Sequence, residues 1–174
     1  MNQPAIAALH RACSRVGPGR LPGADSEAIG AGYAAASAAA FVAVAYATLA
    51  TAVSGVGLVA APYASVAVAA LAFPIVVPAA FAIGLVGWRL LAPKSPICAG
   101  ALGLLGVGAT YVAMFVVIGV PITALEALSG ADPLRAAVFS WGVVYFAVLE
   151  TWWVAIPVGA VSGYIYASVV SLAA

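Results

Sequence analysis

The chain has 174 residues, 66% of them hydrophobic and 6% charged, with a net charge of +1 and a mean hydropathy of +1.19. A water-soluble domain carries about a quarter charged residues, so this composition excludes a fold that covers its own surface in water. The near-zero net charge, with no basic stripe, excludes a nucleic-acid binder that works by neutralising phosphates.

Residues 1–28 form the only segment with soluble character. Ile6, Leu9, Cys13 and Val16 recur at helical spacing with Arg11 and Arg15 elsewhere on the turn. This reads either as a short amphipathic helix on an anionic membrane surface or as an unstructured basic tail. A cleaved signal peptide is not expected, because the apolar run begins only after Gly30 and continues well past signal length. Gly17-Pro18-Gly19 and Pro22-Gly23 break any helix, and Asp25 or Ser26 can cap the next one.

The domain of residues 29–174 reads as an all-α integral membrane protein, a bundle of about four long, proline-kinked transmembrane helices. No charge occurs from Ala28 to Trp88 or from Ser95 to Leu125. The predicted helices span 27–53, 64–91, 97–125 and 134–170. Breaks fall at Ser54-Gly55-Val56-Gly57, at Pro93-Lys94-Ser95-Pro96 and at Ser129-Gly130-Ala131-Asp132-Pro133, where Asp132 can cap the last helix. Pro74, Pro78, Pro121 and Pro157 fall inside helices and are read as kinks, which a membrane helix tolerates. The last segment is about twice the length of a span. It reads as one long bent helix, with a hairpin giving a fifth span as the alternative. Lys and Arg favour the N-tail and the Arg89–Lys94 turn, which predicts a cytoplasmic N-terminus in the cell membrane.

Pro78 precedes Gly84 by the same interval that Pro157 precedes Gly163, which suggests that the second and fourth helices belong to a repeated two-helix unit. Gly100, Gly103, Gly106, Gly159 and Gly163 are expected to let helix backbones approach closely.

Glu150 is the only charged residue from Ala136 to Ala174. An acid in hydrocarbon is costly, and is a functional candidate for that reason. Phe146, Trp153 and Pro157 share its helix face, and Tyr145, Thr151, Trp153 and Tyr164 are candidate hydrogen-bond partners. It reads as a protonatable transport site, as a hydrogen-bonding link to a neighbouring helix, or as an interfacial acid in an aromatic belt with Trp152 and Trp153.

His10 is the only histidine, and Cys13 and Cys98 have no metal spacing. No metal, cofactor or catalytic constellation is expected. The expected function is non-enzymatic: an accessory, scaffold or assembly subunit whose partners are the lipid bilayer and either another membrane protein or a second copy. A small transporter or channel built on Glu150 is the alternative.

Overall fold

The computed structural model describes residues 21–23, 26–55, 62–130 and 132–170. The N-tail, including Cys13, His10 and the candidate cap Asp25, lies outside them, as does the connection at 56–61. Four helices follow one another: α1 (Glu27–Gly55), α2 (Pro62–Leu91), α3 (Pro96–Leu128) and α4 (Pro133–Val170). All four are long and apolar enough to cross a membrane.

Both ends of α3 and the start of α4 have local causes. Ser95 caps α3 by accepting from the Cys98 N–H at 3.3 Å, with Pro96 in the first turn. Asp132 Oδ1 accepts from the Leu134 N–H at 3.0 Å, which caps α4 as the sequence suggests. Gly130, at φ +79°, supplies the left-handed residue that ends α3. Pro121 does not end that helix: α3 runs on to Leu128, three residues past the expected end at 125. Pro74, Pro78 and Pro157 likewise lie within continuous helices.

The 38 residues of α4 form one helix, so the fifth-span alternative is not what the chain adopts. No glycine, asparagine or proline lies between Leu149 and Ile156 to reverse the chain, and the backbone bonds continue through. At 1.5 Å per residue the four helices run from about 44 to 57 Å. A hydrocarbon core is about 30 Å thick, so in a bilayer such helices tilt or project beyond it.

Packing is most extensive within the α1–α2 hairpin and within the α3–α4 hairpin. The α1–α4 and α2–α3 seams, which join the two hairpins, are thinner. Six of the nine buried apolar residues among those described are alanines; the others are Trp88, Met114 and Val144. The core is therefore built from backbones in contact rather than from large interlocked side chains.

Glycines make that contact possible. A Cβ on Gly84 would meet the Ala31 carbonyl oxygen at 2.9 Å, and one on Gly32 would meet the Phe81 carbonyl oxygen at 3.0 Å. In the second hairpin a Cβ on Gly163 would collide with the Ala99 carbonyl oxygen, and one on Gly100 would meet the Ala160 carbonyl oxygen at 3.3 Å. These are the same two contacts. Ala99 and Gly100 follow Ala31 and Gly32 by 68 residues, and Ala160 and Gly163 follow Phe81 and Gly84 by 79. The Pro78 and Pro157 pair has that second offset too. The two hairpins thus repeat one helix crossing in one register, which extends the echo seen in the sequence to all four helices.

A methyl group on Gly103 would collide with the Gly159 carbonyl, whereas Gly108 faces open space. Gly103→Ala is expected to lower stability by about 1–3 kcal/mol, because backbone has to move to relieve the overlap. Gly108→Ala should be neutral or slightly stabilising, as alanine is the better helix former. Thermal unfolding of both variants in detergent micelles, followed by circular dichroism, checks the contrast.

Candidate functional site

Glu150 lies near the middle of α4, exposed, at the seam with α1. Its carboxyl is held by the Tyr46 hydroxyl, which donates to Oε2 at 3.2 Å across 104 residues of sequence. The next residue reaches the other way. Thr151 donates to the Ala147 carbonyl at 2.6 Å and shares a 2.5 Å hydrogen bond with the Tyr111 hydroxyl of α3. With its own proton on that carbonyl, Thr151 accepts from Tyr111. Two consecutive residues of α4 therefore link it to α1 and to α3 at one level.

Four partners were expected for the Glu150 carboxyl, and the structure assigns them elsewhere. Trp153 Nε1 donates to the Glu150 backbone carbonyl at 2.8 Å, not to its side chain. Thr151 bonds Tyr111. The Tyr145 ring lies 6.0 Å from that of Phe146 at 66°. Tyr164 borders Gly100 in the α3–α4 crossing. The reason is helical geometry: residues at i+1 and i−5 from Glu150 leave the helix in other directions. Tyr46 was missed because it sits in an alanine-rich helix with no pattern that ties it to position 150.

A second polar link closes the seam at the end where α1 begins. The Tyr166 hydroxyl donates to the Glu27 carbonyl at 2.6 Å, and Trp88 Nε1 donates to Glu27 Oε2 at 3.4 Å. The rings of Trp88 and Tyr166 meet edge to face with centroids 5.0 Å apart. Glu27 thus joins α1, α2 and α4, a role beyond the dipole-complementing first-turn acid that its sequence position suggests.

Between the two links the α1–α4 seam opens into a recess of about 430 Å³, walled by Ser37 and Phe41 of α1 and by Pro157, Val161, Ser162 and Ile165 of α4. Its two hydroxyls are turned to their own helices, Ser37 to the Ala34 carbonyl at 2.9 Å and Ser162 to the Gly159 carbonyl at 3.0 Å. What the recess offers is apolar.

The five candidate packing glycines lie inside the bundle. Gly100, Gly103, Gly159 and Gly163 form the α3–α4 crossing, and Gly106 faces Ile83 of α2. Of the candidate kink residues, Pro157 alone borders the recess among the lining residues. Among the described residues no group of three or more His, Cys, Asp or Glu side chains could hold a metal ion.

The repeat gives this site a reference. The counterparts of Tyr46 and Glu150, by the offsets of 68 and 79, are Met114 and Leu71. Those positions carry an apolar pair in the sequence, so the repeat by itself does not demand an acid and a tyrosine there.

No protein-family model, curated protein or solved structure matches this chain.

Removing the Tyr46 hydroxyl leaves the Glu150 carboxyl without that donor. Tyr46→Phe is expected to cost about 0.5–1 kcal/mol, and to cost less in a Glu150→Leu background. A double-mutant cycle of thermal unfolding in micelles measures the coupling, and full additivity would show that the bond contributes nothing.

Proposed function

We propose that this chain is a multi-pass membrane protein of the cell membrane, with a cytoplasmic N-terminus, that acts without catalysis as an accessory or assembly subunit. Its α4 face around Glu150 receives a membrane-embedded partner. The observation that carries this reading is the exposure of Glu150 on a surface that is otherwise apolar and rich in aromatic groups: Trp141, Tyr145, Phe146, Trp152 and Trp153 are all at least half exposed. Exposed apolar side chains are ordinary in lipid, but an exposed carboxyl at mid-helix is not. A covering helix that brings a polar or basic partner to the carboxyl removes that cost.

The membrane reading is supported by the length and apolarity of all four helices, and the orientation by the distribution of charge. Among the described residues Arg89 and Lys94 lie at the end of the bundle where α1 starts, and Arg135, beside Glu126 and Asp132, is the one basic residue at the other end. The close-packing glycines do not serve as the partner face, since the bundle itself uses them.

A photo-crosslinking amino acid at position 153, in native membranes, is expected to give a discrete protein adduct. The same group at Leu105, exposed on α3, is expected to give only lipid adducts. Lipid adducts at both positions would sink the partner reading.

A transporter is the second reading, favoured by the position of the Tyr46–Glu150 bond between two repeated hairpins and by the apolar residues at its counterpart positions. Under that reading Glu150→Gln abolishes pH-gradient-driven flux in liposomes while helix content and melting temperature are retained. Equal flux in wild type, variant and empty liposomes would remove it.

A further inference from the structure

We propose that the α1–α4 seam takes one membrane-spanning helix of another protein, and that this helix carries a lysine or arginine at the level of Glu150. The inference rests on the partner reading above and names the chemistry of that partner.

Charge comes first. A cation is the partner that most relieves an exposed carboxylate in hydrocarbon, and the described residues offer none at that level. Arg135 lies 15 residues before Glu150 on α4, about 22 Å along the axis. Arg89 ends α2 and Lys94 follows it, at the end of the bundle that α4 approaches only near Val170. The remaining basic residues, Arg11, Arg15 and Arg20, lie outside the described residues. A second copy inserted in the same direction places Arg89, Lys94 and Arg135 at the same levels, so none of these meets the charge in a parallel homodimer.

Shape comes second. Exposed large side chains run along α4 from Leu134 to Tyr164, a length of about 45 Å, more than the roughly 30 Å thickness of a hydrocarbon core. That is the footprint of a spanning helix rather than of a small lipophilic cation. Phe146 and Trp153, both exposed, flank Glu150 one turn away on either side, and their rings can shield a cationic head while the carboxyl pairs with it. The recess begins at Pro157, two turns further along the same seam, and with both serine hydroxyls turned away it accepts an apolar side chain of the same partner helix.

The third observation is asymmetry. The repeat supplies a matching seam between α2 and α3, and the acid and tyrosine occur at only one of the two. An occupant matched to that pair therefore binds one side of the bundle, which sets a single copy of the partner per chain.

The test uses the full chain with Cys13→Ser, labelled at the exposed Cys98, in phosphatidylcholine vesicles. The probes are two labelled polyleucine spanning peptides of about 20 residues, one with a central lysine and one with leucine there. Energy transfer is expected to report association of the lysine peptide about tenfold tighter than the leucine peptide. Glu150→Gln should erase that preference and Glu150→Asp should keep it, with circular dichroism verifying that each variant is folded. Equal binding of the two peptides would overturn the charged partner and leave the partner reading intact. Binding of neither, with the protein adduct at position 153 still formed, would overturn it in the same way; loss of that adduct as well would remove both. Binding of tetraphenylphosphonium that depends on Glu150, without binding of the lysine peptide, would give the site to a small lipophilic cation and overturn the helix.

Discussion

The bundle depends on one kind of contact: helix backbone against helix backbone, at positions where no Cβ intervenes. In lipid there is no hydrophobic force to drive one apolar helix onto another, because the tails are as apolar as leucine. Close approach and the dispersion it gains must supply the attraction instead. Gly103 against Gly159, and Gly163 against Ala99, set the α3–α4 crossing. Gly32 and Gly84 set the α1–α2 crossing in the same register. Each hairpin is thereby a firm unit, and the alanine-rich core follows from it, since larger side chains would hold the helices apart.

Polar groups enter where those firm units meet. The α1–α4 seam is thin, and two hydrogen-bonded links hold it: Tyr46 with Glu150 near the middle, and Tyr166 with Glu27 at the end. Between them it opens at Pro157 into the apolar recess. Glu150 belongs to this seam by its hydrogen bond and to the outer surface by its exposure. A purely structural acid would be enclosed by the helices it joins, as Ser140 is by its own surroundings, with its hydroxyl on the Ala136 carbonyl. Glu150 is instead left facing outward among aromatic side chains, and the functional reading grows from that difference.

The repeat sharpens the same point. Two hairpins related by one register would give two equivalent seams if symmetry alone ruled. They differ at the positions that matter: Glu150 and Tyr46 on one side, Leu71 and Met114 on the other. Stability is served by the shared glycines, and the acid is an elaboration of one seam.

Much of the architecture is legible in the sequence, because segments long and apolar enough to cross a membrane permit few solutions. With every backbone group needing an internal partner, long uncharged runs can only be helices. Proline, glycine and charge then mark where they stop: Asp132 before α4, and Pro96 with Ser95 before α3. The predicted bounds differ from the helices by at most three residues. The interval from Pro78 to Gly84, seen again from Pro157 to Gly163, already pointed to the repeat. Glu150 stands out as a candidate for the same economy, being one acid in a long apolar segment. Its partners do not stand out. Helical geometry turns Tyr145 and Thr151 away from it, Trp153 shares its face but donates to the Glu150 backbone carbonyl, and Tyr164 packs by Gly100. Tyr46 is 104 residues away and reaches Glu150 because two hairpins dock side by side. Local spacing along one helix determines which residues share a face. Which neighbouring helix that face meets, and at what height, depends on inter-helix contacts that a single chain's periodicity does not encode; the tertiary structure alone decided that Glu150 sits on an open seam.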